Sequence, residues 1–302
     1  MTAFHVTATG HSLNYLPEYV AVDQGFFADE GLEVTASVPR PWDRVLDDLR
    51  EGTASAALGG IWVPSMYRGR ADHLVPFAQI AARAPLALVG RERAEDFHWR
   101  NLPGKTVLMK GSNGASVGLY LKMRMREEGL DLAGSGFIQD LDGAMLSQLF
   151  LGGMGDYLVT DYPGALKLAA GGRCHIVQAF PVEGGPIPWS VYYALGPADD
   201  ARLQLQTAFC RALQRGMDWI ASREPESYID FLTRTFPALP PEVLLQAART
   251  YRAHGMWTTP RIDPEGYERW QHGIADGHLI EQPIPYEVLN DSRPTAPSKP
   301  AE

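Results

Sequence analysis

Cysteine is scarce in this chain. Among 302 residues only Cys174 and Cys210 occur, too far apart in sequence for a metal-ligand spacing. Each adjoins an apolar stretch, so both are read as buried free thiols. No run of about 18 apolar residues is present, the length a membrane-spanning helix needs, so membrane insertion is not expected. No stretch clusters lysine and arginine with aromatics, and the net charge is −9. Nucleic acid and anionic membrane are therefore excluded as expected partners, and the acidic balance is read as solubility. No carboxylate–histidine cluster has metal-binding spacing, so no metal or other cofactor is implied. The Gly-rich stretch Lys110–Ser116 lacks the Gly-Lys-Ser/Thr ending of nucleotide phosphate loops.

What is present is an ordinary globular composition, 45% hydrophobic and 21% charged. The length is large for one core and fits two lobes. The chain is organised around its opening. Phe4, Val6 and Ala8 alternate as a short strand, Gly10 breaks it, and His11–Leu16 form a polar and aromatic turn. Pro17 suits the first turn of a helix that ends near Gly25. Phe26 and Phe27 cap the unit, Gly31 turns the chain, and Leu32–Val38 make a second strand. Strand, loop, helix and strand in this order predict parallel pairing with a right-handed crossover. The Gly10–Leu16 loop then lies at a strand's carboxyl end, where open α/β sheets bind ligands.

The string YVAVDQGFFADEGLEV within this unit closely resembles the opening of the type II periplasmic solute-binding proteins. The branch it is most similar to contains the nitrate, sulfonate, taurine and thiamine-pyrimidine-precursor binders. The resemblance implies an α/β fold of two Rossmann-like lobes, joined by a hinge of two crossover strands, with a ligand cleft between the lobes. Secreted members carry an export signal, and nothing here resembles one, because the first strand begins by residue 4. No early cysteine offers a lipid anchor. As it stands the chain is expected in the cytoplasm; as a processed or truncated form, in the periplasm.

A second argument for two lobes does not use the resemblance. From Leu102 the opening pattern starts again, with strand Thr106–Met109, a Gly loop at Lys110–Ser116 and a helix through Leu119 and Met125. Gly10 and Gly111, Gly52 and Gly153, and Gly60 and Asp161 are each 101 positions apart. The first lobe is expected over residues 1–88 plus 194–302, and the second over 89–193. The crossovers are PLALVG and WSVYYAL. Asp43 is a candidate N-cap, and residues 291–302 read as a polar, Pro-rich disordered tail.

Loops at strand ends supply the candidate ligand-binding residues. The first lobe offers Ser12, Asn14, Tyr15, Trp42, Gly60 and Trp62; the second offers Ser112, Asn113, Ser116, Asp161 and Tyr162; Arg83 and Trp189 lie near the crossovers. A Gly-rich loop at a helix start presents backbone N–H groups to an anion, with Ser112, Asn113 and Ser116 as further donors. The aromatics suit stacking on a planar ligand. Arg40, Arg44 and Arg83 are candidate carboxylate or sulfonate partners, Arg83 the best of them.

The resemblance leads to reversible capture of a small organic ligand, aromatic, heterocyclic or anionic, for the permease subunits of an ABC-type importer. An enzyme is the alternative, because fungal pyrimidine synthases, aromatic sulfinate desulfinases, dihydroxyphthalate decarboxylases and chorismate dehydratases share this fold in the cytosol. The clustered cysteines of the synthases are missing here, and the position matching the desulfinase cysteine is Ser12. Ser12 beside His11 suggests a nucleophile and base, but adjacent side chains rarely face each other and no orienting acid is evident. A ligand-sensing regulatory module is a third class, and no DNA-binding segment supports it.

Overall fold

The computed structural model describes residues 1–111, 115–139 and 143–296. Ser112 and Asn113 lie outside the described residues.

In chain order, the first lobe begins with β1 (Thr2–Ala8), α1 (Leu16–Asp23), the short α2 (Phe26–Asp29) and β2 (Leu32–Ser37). It continues with α3 (Arg44–Arg50), β3 (Ala56–Gly60), α4 (Trp62–Tyr67) and β4 (Leu74–Ala81). β1 pairs in parallel with both β2 and β3, as the strand–loop–helix–strand pattern predicts. Asp43 does not cap α3: it takes helical dihedrals and makes no side-chain cap bond, because the helical turn already starts before it.

The second lobe holds β5 (Leu86–Gly90), β6 (Thr106–Met109), α5 (Ser116–Glu127), β7 (Gly136–Ile138), α6 (Gly143–Leu151), β8 (Tyr157–Asp161), α7 (Tyr162–Ala169), β9 (His175–Ala179) and α8 (Phe180–Glu183). The chain then returns through β10 (Ser190–Leu195). The two five-stranded sheets have strand orders β2-β1-β3-β10-β4 and β7-β6-β8-β5-β9. In each, three parallel strands are followed by one antiparallel crossover strand and an outer strand. The 101-residue echo is thus a repeat of topology, with β3 and β8 exactly in step. The expected boundaries after residues 88 and 193 fall inside β5 and β10, and each of those strands pairs within one sheet. The chain changes sheets at 82–85 and 180–189 instead.

The rest of the chain is helical: α9 (Asp200–Ala221), α10 (Ile229–Thr235), α11 (Pro241–Ala253), α12 (Pro264–Asp276) and α13 (Tyr286–Leu289). α9 lays Phe209 against Phe4, Phe27 and Tyr192, with ring centroids 4.7, 4.9 and 4.8 Å away. Gly216 lets α9 approach α1, since a Cβ there would lie 2.5 Å from the Pro17 carbonyl oxygen. The Asp199 carboxylate accepts from the Arg202 N–H at 2.9 Å and caps α9. Asp199→Ala should lower stability by about 1 kcal/mol in urea unfolding, without changing affinity for any ligand that the protein binds.

α11 and α12 reach the second lobe. The Tyr162 hydroxyl lies 3.2 Å from that of Thr250 on α11. On α12 the Arg269 guanidinium donates to both Glu127 oxygens, at 2.7 and 2.8 Å. Residues 291–296 are ordered against the first lobe, which corrects the expected disordered tail over that stretch. Asp291 N–H donates to the Pro76 carbonyl at 2.8 Å, Arg293 donates to the Ala198 carbonyl at 3.0 Å, and Pro294 is buried. Together with the Gln79 N–H bond to the Pro260 carbonyl, this covers the outer edge of β4, which an exposed sheet edge would otherwise leave unpaired. Residues 297–302 lie outside the described residues.

Candidate ligand-binding cleft

A cavity of about 250 Å³ opens where the carboxyl ends of β1, β3, β6 and β8 converge. Thr9 to Tyr15 form its first wall. Here the Ser12 hydroxyl donates to the Asn14 side-chain oxygen, and the Trp257 indole N–H donates to the Asn14 carbonyl at 2.9 Å. Ser190, at the start of β10, donates to the Tyr15 hydroxyl at 3.4 Å. His11 Nε2–H donates to the Thr235 carbonyl at 2.9 Å, with the ring between Tyr19 and Phe236. The loop is therefore held in shape from beneath and from the C-terminal helices.

The aromatic wall is Trp42, Trp62 and Trp189. Trp42 and Trp62 meet edge to face at 6.0 Å. Trp189 is backed by Trp270, stacked at 6.1 Å, and by Tyr120 at 5.7 Å. Gly60 sets the position of Trp62, because a Cβ at residue 60 would lie 2.5 Å from the indole Cδ1 and Nε1. Gly60→Ala should therefore swing the indole out of place and weaken ligand binding about tenfold, measured by calorimetry, while the melting temperature changes little.

The second lobe contributes Lys110, Ser116, Asp161 and Pro163. Lys110 Nζ lies 3.7 Å from one Asp161 oxygen, and the other accepts from the Gly164 N–H at 2.8 Å, capping α7. Ser116 opens α5. Pro85, Leu86, Phe236 and Leu239 complete the lining. Beneath the first wall, Glu18 on α1 is 1% exposed. The Tyr192 hydroxyl donates to it at 2.6 Å. Burial pushes its carboxyl up from 4.5 to about 7, against the pull of that hydrogen bond. Burial likewise raises the Tyr15 phenol, so it stays a neutral donor and acceptor. Among the described residues, no three His, Cys, Asp or Glu side chains are grouped to hold a metal, and no helix is long and apolar enough to cross a membrane.

The NMT1/THI5-like family model matches residues 12–227. The chain belongs to that family. It is 27% identical over 299 residues to "Putative binding protein YtlA" of Bacillus subtilis (strain 168), covering 96% of this chain and 87% of that one. Its fold matches the periplasmic aliphatic sulphonate binding protein SsuA from Escherichia coli with a TM-score of 0.73 at 15% identity, over 96% of this chain and 97% of that one. It also matches the periplasmic sulfonate-binding protein SsuA from Methylobacillus flagellatus KT with a TM-score of 0.75 at 13% identity, over 98% and 93% of the two chains.

Of the residues singled out in the sequence, Ser12, Asn14, Tyr15, Trp42, Gly60, Trp62, Ser116, Asp161 and Trp189 line the one cavity. Arg83 does not. It is not among the lining residues and donates to the Pro181 carbonyl at 3.3 Å, and burial lowers its pKa. Tyr162 is also outside, because the residue after Asp161 turns its ring to Tyr251 on α11. Arg40 and Arg44 are exposed and off the cavity. Lys110, Thr9 and Ser190 were missed, as were Phe236 and Leu239. A signal for Lys110 existed, since it stands 101 positions after Thr9, as Ser116 does after Tyr15 and Asp161 after Gly60. No local signal marks Phe236 or Leu239, which arrive through helix packing.

Proposed function

We propose that this chain is the solute-binding component of an ABC-type importer and captures a small organic ligand between its lobes. The observation that carries this reading is the cavity itself. Polar loops and three tryptophans from both sides meet at strand ends, and among the described lining residues Ser12, His11 and Asp161 are not hydrogen-bonded to one another. Ser12 is engaged by Asn14 and His11 by a backbone carbonyl, so the adjacent pair is not arranged for catalysis. The name of the Bacillus subtilis relative and the sulfonate-binding neighbours support the same reading. Ligand contact with both lobes would favour a closed state, pivoting at 82–85 and 180–189, and permease subunits would be the receiving partner.

The test is a thermal-shift screen of aromatic acids, sulfonates, amino acids and aminopyrimidines. A true ligand at 100 times its dissociation constant adds about 2.7 kcal/mol of stability. The compound should be recovered unchanged after incubation. Its conversion without added cofactor would replace the binding reading with an enzymatic one.

A further inference from the structure

The cleft wall carries a lysine and an aspartate side by side. Lys110 Nζ and Asp161 Oδ2 are 3.7 Å apart, and their side chains are 24% and 43% exposed. Asp161 is fixed by its cap bond to Gly164, and Lys110 extends from the end of β6 beside it. Among the described lining residues there is no other lysine, no arginine and no other carboxylate. The one histidine, His11, spends its Nε2–H on a backbone carbonyl. Among the described lining residues the formal charges therefore cancel, and they do so within this one ion pair.

This constrains what the closed cleft can hold. Closure removes the ligand from water, and a buried charge without a partner is costly. An anion would gain Lys110 but face Asp161 and leave one unit of charge unbalanced. A cation would meet the reverse. A ligand with both an acidic and an ammonium group can lay the acid on Lys110 and the ammonium on Asp161, and each of these two charges keeps a partner. Trp42, Trp62 and Trp189 then take its apolar body. Resting on the solute-binding reading, we infer that the cleft selects small zwitterions of amino-acid-like chemistry, with Lys110 and Asp161 as the pair that sets charge specificity.

The experiment compares matched triads on the intact protein by calorimetry. Tryptophan, indole-3-propionate and tryptamine form one triad; phenylalanine, leucine and aminosulfonates, each with its amine-free and acid-free counterpart, form the others. The binding member should be a zwitterion, about tenfold or more tighter than either counterpart. Lys110→Met should shift preference about tenfold toward the acid-free amine. Asp161→Asn keeps an N-cap residue and should shift it by a similar factor toward the amine-free acid. Neither shift follows from a merely structural role. An anion or cation that matches its zwitterion, or unaltered preference in both variants, overturns the charge pairing and leaves the solute-binding reading intact. Binding confined to other compounds of the wider screen does the same. Conversion of the ligand defeats the function itself.

Discussion

Trp270→Ala should destabilise the protein by about 3–5 kcal/mol, the range for removing a large buried aromatic, and should also weaken ligand binding. Trp270 is 1% exposed and sits on α12, far along the chain from the cleft loops. Yet it stacks on Trp189, which forms cleft wall, and both rings meet Tyr120 of the second lobe. The cavity left by the indole removes the backing of Trp189, so that wall loses its fixed position. Phe209→Ala is the control. It also empties a buried ring site, but one that faces Phe4, Phe27 and Tyr192. Urea unfolding should show both variants weakened, and calorimetry below their transitions should show affinity lost only in Trp270→Ala. Equal affinity in the two would remove the link between α12 and the cleft.

Glu18→Gln should flatten part of the pH dependence of stability. The native carboxyl holds its proton up to about 7, whereas an ordinary one releases it near 4.5. Between those values the folded protein binds more protons than the unfolded chain, so this group's stabilising contribution is complete below the lower value and lost as pH rises through the upper one. The interval corresponds to about 3 kcal/mol. Gln keeps an oxygen for the Tyr192 hydroxyl and cannot ionise. Measured by urea unfolding, variant and parent should be close at pH 5, and by pH 8 the variant should have gained up to about 3 kcal/mol relative to the parent. A constant difference across that range would show that Glu18 does not titrate within it.

The fold was legible because its signals are local. Alternation in Phe4–Ala8, the breaks at Gly10 and Gly31 and the recurrence at Thr106 each mark an element by short-range chemistry. The repeat offset carries them to the second lobe. Site residues at a strand's end or in the loop that follows it, such as Asp161, Asn14 and Tyr15, were legible for the same reason, since strand ends converge by topology. Side-chain direction was not. Asp161 faces the cavity while Tyr162 faces α11, although they are adjacent in the chain. Arg83 looked well placed by sequence, but its guanidinium goes to the Pro181 carbonyl on α8, a partner 98 positions further along the chain. Phe236 and Leu239 depend on how α10 and α11 dock, which no nearby residue announces. The ordering of residues 291–296 depends on a strand edge more than 200 positions earlier in the chain.

The strand orders also bear on how the polypeptide assembles as it is made. All strands of the second sheet lie between Leu86 and Ala179, a contiguous stretch. The first sheet needs β10 between β3 and β4, and β10 ends only at Leu195. During synthesis the second lobe can complete its hydrogen-bonded ladder while β3 and β4 still wait for the strand that joins them. Those two edges are open and apolar until then, the condition under which nascent chains are most exposed to misassociation. The long sequence separation of the β3–β10 pairing makes its closure the slow entropic step. The stretch from β1 to β4 is thus the first to be synthesised and among the last to be finished.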